Sequence, residues 1–258
     1  NDISIIIHAA AQPSHDFAKD NIFLDFEINA QGSLNIFDCT QKYCPSAKII
    51  YLSTNKVYGD NPNKIKLLEK KTRYEPVSKL FLKKGINEKF NIDDSVHSFF
   101  GVSKTYADLI VQEYGKNIGL KTVTFRAGCI TGSNHSGAKL HGFLSFLVKS
   151  CLKNKEYSII GHKGKQVRDN IHSSDLINCF WEFYKKPKKG EVYNIGGGRY
   201  SNCSIIEALD YVEKISKISI KRKILKIPRV GDHIWYISDT TKFRKHYPKW
   251  KQKYNTKK

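Results

Sequence analysis

The sequence predicts an α/β protein whose strands form a doubly wound parallel sheet. Apolar, strand-like runs alternate with helical segments along the chain, an order typical of a parallel sheet with helices on both faces. The first run, residues 3–11, is apolar at almost every position, as expected of a strand buried on both sides. The 258 residues suffice for one such domain with a small appendage.

Periodicity and breaker residues give the elements in order. Strands are predicted at residues 3–11, 48–53, 121–126, 157–160 and 192–195. Helices are predicted at residues 24–43, 102–117, 142–152, 174–184 and 204–216, with Ser204 as the N-cap of the last. Residues 59–95 form a polar, lysine-rich connection whose length predicts a lid or a substrate loop. The glycines at 196–198 follow a late strand and are interpreted as a plain turn.

The chain is strongly basic, with a formal net charge of +20 at pH 7 and lysines spread along its whole length. Such spreading is typical of solvated faces, and no aromatic-interleaved basic motif accompanies it. We therefore predict no specific nucleic-acid partner. A nucleic-acid-associated protein stays open as a minor reading that is supported by charge alone.

The sequence also bounds the compartment and the metal chemistry. No apolar run approaches the roughly 20 residues that span a bilayer, and the chain begins without a basic leader or a cleavage site. These features predict a soluble, cytoplasmic protein with no membrane partner. The six cysteines form no Cys-x-x-Cys and no metal-like pairing with histidine, so we interpret them as reduced core residues and predict no metal site.

Six short stretches occur in an order that resembles one known family. They are IHAAAQ (7–12), STNKVYGD (53–60), GVSK (101–104), GKQVRD (164–169), YNIGG (193–197) and RVGD (229–232). Together they resemble the extended short-chain dehydrogenases that act as nucleotide-sugar epimerases and dehydratases, and among these the CDP-paratose 2-epimerase (CDP-tyvelose epimerase) group. The resemblance implies NAD as cofactor, a CDP- or UDP-linked sugar as substrate, and a homodimer formed through helices that contain Leu34 and Leu109.

The resemblance also implies a domain organisation. The chain would begin at the fourth strand of the family's Rossmann-like sheet, so that the first βαβαβ portion, with its glycine-rich turn, is missing. Residues 1–134 and 163–200 would form the partial Rossmann-like NAD-binding domain. Residues 135–162 and 201–258 would form a small C-terminal α+β part that binds the nucleotide sugar.

Residues 98–104 decide how much of the family's chemistry to expect. Family members carry a Tyr-x-x-x-Lys pair here, in which the tyrosinate removes a sugar hydroxyl proton while hydride passes to the nicotinamide. This chain keeps Lys104, which would hold the nicotinamide ribose, but has Phe100 in place of the tyrosine. Four residues turn a helix by about 400°, so both side chains should point to one face. Thr54 matches the hydroxyl that binds the reacting oxygen, so the predicted catalytic positions are Thr54, Lys104 and the altered Phe100.

Loss of the phenol removes acid–base assistance that is typically worth about 10²–10⁴ in rate. His97 is a candidate substitute base, because histidine titrates near neutral pH, and a histidine of the loop or helix cap is the plainer alternative. At Asn55 and Lys56 the related 4,6-dehydratases carry an Asp-Glu pair. Dehydration is therefore disfavoured, and the pattern matches the 2-epimerases.

The same resemblance assigns the binding residues. The cofactor would be lined by Ala9, Ala10, Ala11, Gln12, Ser53, Lys104, Ala127 and Gly128. The nucleotide sugar would contact Asn55, Cys129, Arg168 and Arg229. Guanidinium groups suit the oxygens of a diphosphate, but both arginines could instead pair with Asp169, Asp175 or Asp232. Asn29 would support the active-site helix.

Two main readings follow from these residues. The first is an NAD-dependent nucleotide-sugar epimerase of C2 type, which works by transient oxidation to a keto sugar. The second is a catalytically weak or inactive protein of the same fold that binds a nucleotide sugar and NAD, as the replacement at Phe100 indicates.

Overall fold

The computed structural model describes residues 2–135, 137, 142–226 and 231–256. Its helices are α1 (His15–Asp20), α2 (Ile22–Phe26), α3 (Gly32–Tyr43), α4 (Lys79–Lys84), α5 (Phe99–Lys116), α6 (Phe143–Leu152), α7 (Ser173–Lys185), α8 (Ile205–Ser216) and α9 (Thr241–His246). Its strands are β1 (Ile5–His8), β2 (Lys48–Thr54), β3 (Leu67–Glu69), β4 (Tyr74–Pro76), β5 (Lys121–Ala127), β6 (Cys129–Thr131), β7 (Tyr157–Ile160), β8 (Val167–His172), β9 (Glu191–Ile195), β10 (Asn202–Ser204), β11 (Arg222–Leu225) and β12 (Trp235–Tyr236). A π-helical turn, Glu27–Gln31, joins α2 to α3.

The first sheet is parallel and doubly wound, as the alternation of elements predicts. Its strand order is β1-β2-β5-β9, and every pair in it is parallel. On one face, Tyr51 of β2 packs with Phe37 of α3 in one core cluster. On the other face, Phe125 of β5 packs with Phe180 of α7 in a second cluster. Helices therefore cover both faces, and the carboxyl ends of four strands meet at one edge.

The first strand is shorter than its apolar run predicts. β1 ends at His8, and the three alanines that follow lead into a turn. The backbone of Gln12 bonds the Asn29 side chain instead of a neighbouring strand, donating from its N–H at 2.9 Å and accepting at its carbonyl at 3.0 Å. A side chain on the helical segment thus ends the ladder, which apolar periodicity cannot reveal.

Caps set the bounds of two helices. The Oγ of Ser98 accepts from the backbone N–H of Gly101 at 3.1 Å, so α5 begins at Phe99, three residues earlier than periodicity predicts. Ser204 caps α8 as predicted and forms a capping box with Glu207.

A second region of mixed strands is centred on β8. β8 pairs antiparallel with β10 and parallel with β12 and β6, while β7 and β11 form a separate parallel pair. β8 is not among the predicted strands, because its buried side chains at Arg168, Asp169 and Asn170 are polar and break the apolar pattern. Since this sheet joins residues from both predicted parts of the chain, the division into 1–134 with 163–200 and 135–162 with 201–258 stays a prediction.

The connection at 59–95 is not a lid over the main cavity. It contains a short hairpin of β3 and β4 and the helix α4, and its residues Phe81 and Phe90 pack against a core cluster around Trp235. None of the described residues that line the main cavity comes from it. Apolar side chains spaced within this lysine-rich stretch anchor it to the second region, and the role of a substrate loop stays a prediction.

Three further findings concern membrane-spanning helices, cysteines and metal sites. None of the helices in the described ranges is long and apolar enough to cross a membrane. All six cysteines are free thiols; four of them are buried, as the interpretation as core residues predicts, whereas Cys39 is exposed and Cys129 is half-buried. Within the described residues, no group of three or more His, Cys, Asp or Glu side chains is arranged to hold a metal ion.

Candidate active site

The carboxyl end of β2 turns directly into a short 3-10 helix, Asn55–Tyr58. Thr54 caps this helix, because its Oγ1 accepts a hydrogen bond from the backbone N–H of Lys56 at 3.2 Å. The turn brings the side chains of Asn55 and Lys56 to the wall of the main cavity. A hydroxyl at the end of the strand therefore fixes the direction of the two residues that follow it.

Lys104 lies on the buried face of α5 and points at β2. Its Nζ donates to the backbone carbonyl of Leu52 at 3.1 Å and lies 4.4 Å from the centroid of the Tyr51 ring. Burial lowers the pKa of the Lys104 ammonium to about 8, although the carboxylates of Asp108 and Asp25 act in the opposite direction. A cation that titrates near neutral pH thus lies beside the carboxyl end of β2.

Phe100 lies one turn before Lys104 and is 7% exposed. Its ring meets the imidazole of His15 edge to face, with 4.9 Å between ring centroids and 62° between ring planes. The Nδ1 of His15 lies 2.6 Å from the Oγ of Ser98, the residue that caps α5. His15 is therefore held by the same helix start that positions Phe100, and it borders the main cavity.

His97 is held away from the site. Its Nε2 lies 2.8 Å from the backbone carbonyl of Ile92, so it donates to the connection at 59–95. It is not among the described residues that line the cavity. This geometry favours the plain reading of His97 as a loop histidine over the reading as a substitute base.

The main cavity has a volume of about 550 Å³, within the usual range for small-molecule sites. Its lining comes from the ends of β2 and β5, from β7 and β8, and from α6 and α8. One side is polar and includes Asn55, Lys56 and Arg168, while Phe143 and Phe146 form an apolar side. The cavity therefore suits a ligand with an anionic or hydroxylated part and a flat or apolar part.

Two cations and one carboxylate give the polar side its charge. The Nη2 of Arg168 lies 2.5 Å from the Oδ1 of Asp232, and the Nζ of Lys56 lies 4.0 Å from the same oxygen. Lys56 also donates to the carbonyl of Gly231 at 2.8 Å. Of the three acidic partners that the sequence offers Arg168, the structure selects Asp232, and one positive charge remains in excess while Lys56 is protonated.

Burial perturbs both ends of this cluster. Burial lowers the pKa of the Lys56 ammonium to about 8, with Asp232 opposing the shift and Arg168 adding to it. Burial alone would raise the pKa of the Asp232 carboxyl, but the charges of Arg168 and Lys56 hold it below its usual range. Asp232 therefore stays ionised near neutral pH, and the Lys56 ammonium loses its proton at a pH slightly above neutral.

Ala127 ends β5 and is buried, Gly128 follows it on the cavity wall, and Cys129 begins β6 on the same wall. A Cβ added to Gly128 would lie 2.5 Å from the Oδ1 of Asp169, so the close approach of β5 and β8 requires glycine here. Burial raises the pKa of the Cys129 thiol to about 11. Cys129 is therefore a neutral thiol and not a nucleophile at neutral pH.

The turn after β1 carries four predicted cofactor residues. Ala9 and Ala10 are exposed, Ala11 is half-buried, and Gln12 is buried. The side chain of Gln12 donates to Asp25 at 2.6 Å, so it faces the helices rather than the open edge.

The same network reaches the helix that carries Lys104. Asp25 accepts from the Oγ of Ser103 at 2.6 Å, and Asn29 contacts Ser103 at 3.3 Å and Asp25 at 3.0 Å. Asn29 lies in the π-helical turn, a feature often found near functional sites. These contacts couple the turn after β1 to the start of α5.

Ser53 has an internal partner. Its Oγ donates to the Oδ2 of Asp108 at 2.6 Å, and Asp108 forms a two-point ion pair with Arg126 at 2.8 and 3.0 Å. Arg126 also donates to the Oη of Tyr58 at 3.2 Å. Ser53 therefore belongs to a buried network that ties α5 to β2 and β5. Arg229 lies outside the described residues.

Sequence reasoning missed the cavity roles of His15, Lys56 and Asp232. His15 stands just after the turn that ends β1, a position that a parallel sheet directs to its ligand-binding edge. This position was the feature of the sequence that could have indicated a cavity role for His15. Its contact with Ser98 spans 83 residues of sequence, so no local pattern reveals it.

Comparison with known proteins places these residues in context. Residues 1–196 match the family described as the NAD dependent epimerase/dehydratase family. The CDP-paratose 2-epimerase of Salmonella typhi is 33% identical over 242 residues, which cover 91% of this chain and 69% of that protein. The dTDP-D-glucose 4,6-dehydratase of Dictyostelium discoideum is 28% identical over 226 residues, which cover 84% of this chain and 45% of that protein.

A solved structure supports the fold. The UDP-glucose 4-epimerase of Thermus thermophilus, in complex with NAD, matches with a TM-score of 0.77 and 22% identity, covering 97% of this chain and 73% of that one. At this identity the likeness concerns the fold alone. The chain is shorter than each of these relatives, and it spans less than half of the Dictyostelium dehydratase.

Proposed function

Because this chain belongs to the NAD dependent epimerase/dehydratase family, we propose that it is a nucleotide-sugar epimerase that changes the configuration at carbon 2 of the sugar. The similarity to a CDP-paratose 2-epimerase supports this position on the sugar. The single observation that carries the proposal is the cavity at the carboxyl edge, whose polar wall combines Asn55 with the cations Lys56 and Arg168. An amide and an ammonium in place of two carboxylates argue against elimination of water.

The residues at the carboxyl edge fit the nicotinamide half of NAD. Lys104 is buried and has one described hydrogen bond, to Leu52, so its ammonium keeps donors for ribose hydroxyls. Ala9 and Ala10 leave the end of β1 uncovered. When bound, the nicotinamide supplies reversible hydride acceptance, so that a sugar carbinol is oxidised and then reduced on its other face with no net redox change.

The cavity fits a CDP- or UDP-linked sugar. Arg168 and Lys56 offer charge-assisted hydrogen bonds to diphosphate oxygens, and Asp232 holds both in place. Asn55 and the neutral thiol of Cys129 border the space that the sugar would occupy. Thr54 caps the turn that presents Asn55, so its role in the proposal is to bind the reacting oxygen or to position that turn.

Incubation of the full-length protein with NAD and with CDP- and UDP-sugars tests the proposal. We expect proton NMR to show a stereoisomer inverted at carbon 2 and no net production of NADH. Absence of a new isomer with every nucleotide sugar, together with absence of bound nicotinamide in the purified protein, would contradict it.

A second candidate function rests on Phe100. A buried phenyl ring at the family's tyrosine position favours a protein that binds a nucleotide sugar and NAD but turns over slowly or not at all. Phe100→Tyr separates the candidates. A large gain in turnover from an inactive wild type supports the binding protein, whereas unchanged turnover in an already active enzyme supports another proton-transfer group.

We further propose a homodimer through the helices that contain Leu34 and Leu109, α3 and α5, together with the neighbouring α2. Phe23 is 86% exposed, Val102 57% and Leu109 45%, and together they leave apolar surface uncovered. Leu34 packs against a core cluster, so we expect it to stabilise this face from the interior side. Sedimentation analysis of Leu109→Asp, with Ile215→Asp on α8 as control, should show loss of the dimer in the first variant and not in the second.

A further inference from the structure

Three observations converge on His15. Its imidazole packs edge to face on the ring of Phe100 at 4.9 Å, at the position where related enzymes carry a phenol. It borders the cavity that also contains Lys56 and Arg168. Its Nδ1 lies 2.6 Å from the Oγ of Ser98, so the ring is oriented by the cap of α5.

We propose that His15 is a catalytic residue that takes the place of the missing phenol and exchanges a proton with the reacting hydroxyl of the sugar. This inference rests on the proposed function. The O–H bond of the carbinol would break with its proton passing to Nε2 of His15, and NAD, when bound, would supply the acceptor for the hydride of the same carbon, so that a C=O bond forms. His15 would give the proton back when the hydride returned to the other face of the carbonyl, so atoms and electrons balance.

The hydrogen bonding of Ser98 permits the tautomer that this step needs. The Oγ of Ser98 has two lone pairs, one of which accepts from the N–H of Gly101 at 3.1 Å. The second can accept from the Nδ1–H of His15, which leaves the lone pair of the imidazole on Nε2. Ser98 thus orients the ring, and in this tautomer Nε2 is the basic nitrogen.

Charged groups lie on the elements around His15. The helix α1 packs against α2, which carries Asp25, and against α5, which carries Lys104. Lys56, Arg168 and Asp232 line the same cavity as His15.

The first test compares His15→Asn with His97→Asn. An asparagine amide reproduces the bond to Ser98 but cannot carry the proton, so we expect kcat of His15→Asn to fall by about 10²–10⁴-fold, the usual effect of losing a general base. His97→Asn removes a nearby histidine that does not border the cavity, and its kcat should stay within about threefold of wild type. Equal kcat values for His15→Asn and wild type would overturn the role of His15 and leave the proposed function intact.

A rescue experiment separates chemistry from structure. Adding Phe100→Tyr to His15→Asn restores a phenol beside Lys104, and we expect it to recover at least about tenfold of the lost rate. A double variant as slow as His15→Asn would assign His15 a structural role. No turnover by the wild type with any nucleotide sugar would overturn the role of His15 and the proposed function together.

Two further readouts do not depend on the folding of His15→Asn, and the second of them needs no turnover. Ser98→Asp keeps a good N-cap but places a carboxylate beside the imidazole, so the acidic limb of the kcat/KM profile should move to higher pH. Histidine NMR titration without NAD should show the His15 resonance shift when the nucleotide sugar is added. An unmoved limb, or a His15 resonance that does not respond to the nucleotide sugar, would count against direct contact and overturn the proposal.

Discussion

A half-buried lysine, Lys56, and a buried one, Lys104, lie at the same edge of the sheet and share one property but differ in their contacts. Burial lowers the pKa of both Lys56 and Lys104 to about 8. Lys104 contacts a carbonyl and an aromatic face, whereas Lys56 shares Asp232 with Arg168 on the cavity wall. We call the surroundings of Lys104, with His15 and Phe100, the proton-transfer end. We call the surroundings of Lys56, with Arg168 and Asp232, the anion end. Similar desolvation thus produces two cations in different surroundings, for which we propose separate tasks.

The strongest way to break this comparison is Lys104→Met. The substitution removes the cation from the proton-transfer end, so we expect kcat to fall by at least about 10²-fold, because the reacting groups lose their positioning. Calorimetry without NAD should show nucleotide-sugar affinity within about twofold of wild type, because the anion end is intact. A large loss of that affinity would mean that the two ends are not separate.

Arg168→Gln is the matched variant at the anion end. It removes a charge-assisted hydrogen bond worth about 1.5–3 kcal/mol, so the Kd for a nucleoside diphosphate should rise by about 10–100-fold. Arg168→Lys serves as control, since it keeps the charge but not the planar fork and should lose less affinity. An unchanged Kd for Arg168→Gln would show that Arg168 serves only as the ion-pair partner of Asp232.

Binding should also depend on pH through Lys56. As pH rises through about 8, the Lys56 ammonium loses its proton and the anion end loses one positive charge. Affinity for a nucleoside diphosphate should then fall by about fivefold between pH 7 and 9, the difference between a charged and a neutral hydrogen bond. Lys56→Met should flatten this dependence, whereas Lys104→Met should retain it. The opposite pattern would show that the titration of Lys104, and not that of Lys56, changes the affinity.

The last expected effect is on stability. Both lysines have a pKa near 8 when folded, below the ordinary value of 10.5, so between pH 8 and 10 the unfolded chain holds more protons. The free energy of unfolding should therefore gain a rising contribution over this range, at most about 1.4 kcal/mol per pH unit for each lysine. Urea unfolding of Lys56→Met and Lys104→Met should each show a shallower rise than wild type. A steeper rise in either variant would contradict the sign of the shift.

The sequence was a good guide where burial is apolar. The strand at 48–53 and the helix at 204–216 were predicted within one or two residues, because runs and caps are local signals. β8 was missed since its buried Arg168 is neutralised by Asp232, a partner 64 residues away. β1 was predicted too long because the three alanines that follow it continue its apolar run. The backbone of Gln12, the next residue, hydrogen-bonds the side chain of Asn29 and not a neighbouring strand.

The candidate site was predictable at its centre and not at its walls. The spacing of Phe100 and Lys104 on one helix face follows from helix geometry alone. Asn55 and Arg168 were named from motifs, and the structure brings both to one cavity. His15 and Lys56 required knowledge of which loops meet at the carboxyl edge, which depends on contacts between distant segments. The roles of these residues stay predictions until the variants above are measured.

The cavity wall is built from two separate sets of elements. His15, Asn55 and Lys56 belong to loops of the parallel sheet, whereas Phe143 and Tyr157 come from α6 and β7, outside that sheet. Substitutions on the second set can reshape the accommodation of a base or sugar without moving the first. Laboratory evolution of new substrate preference should therefore concentrate its libraries there and leave the reactive edge untouched.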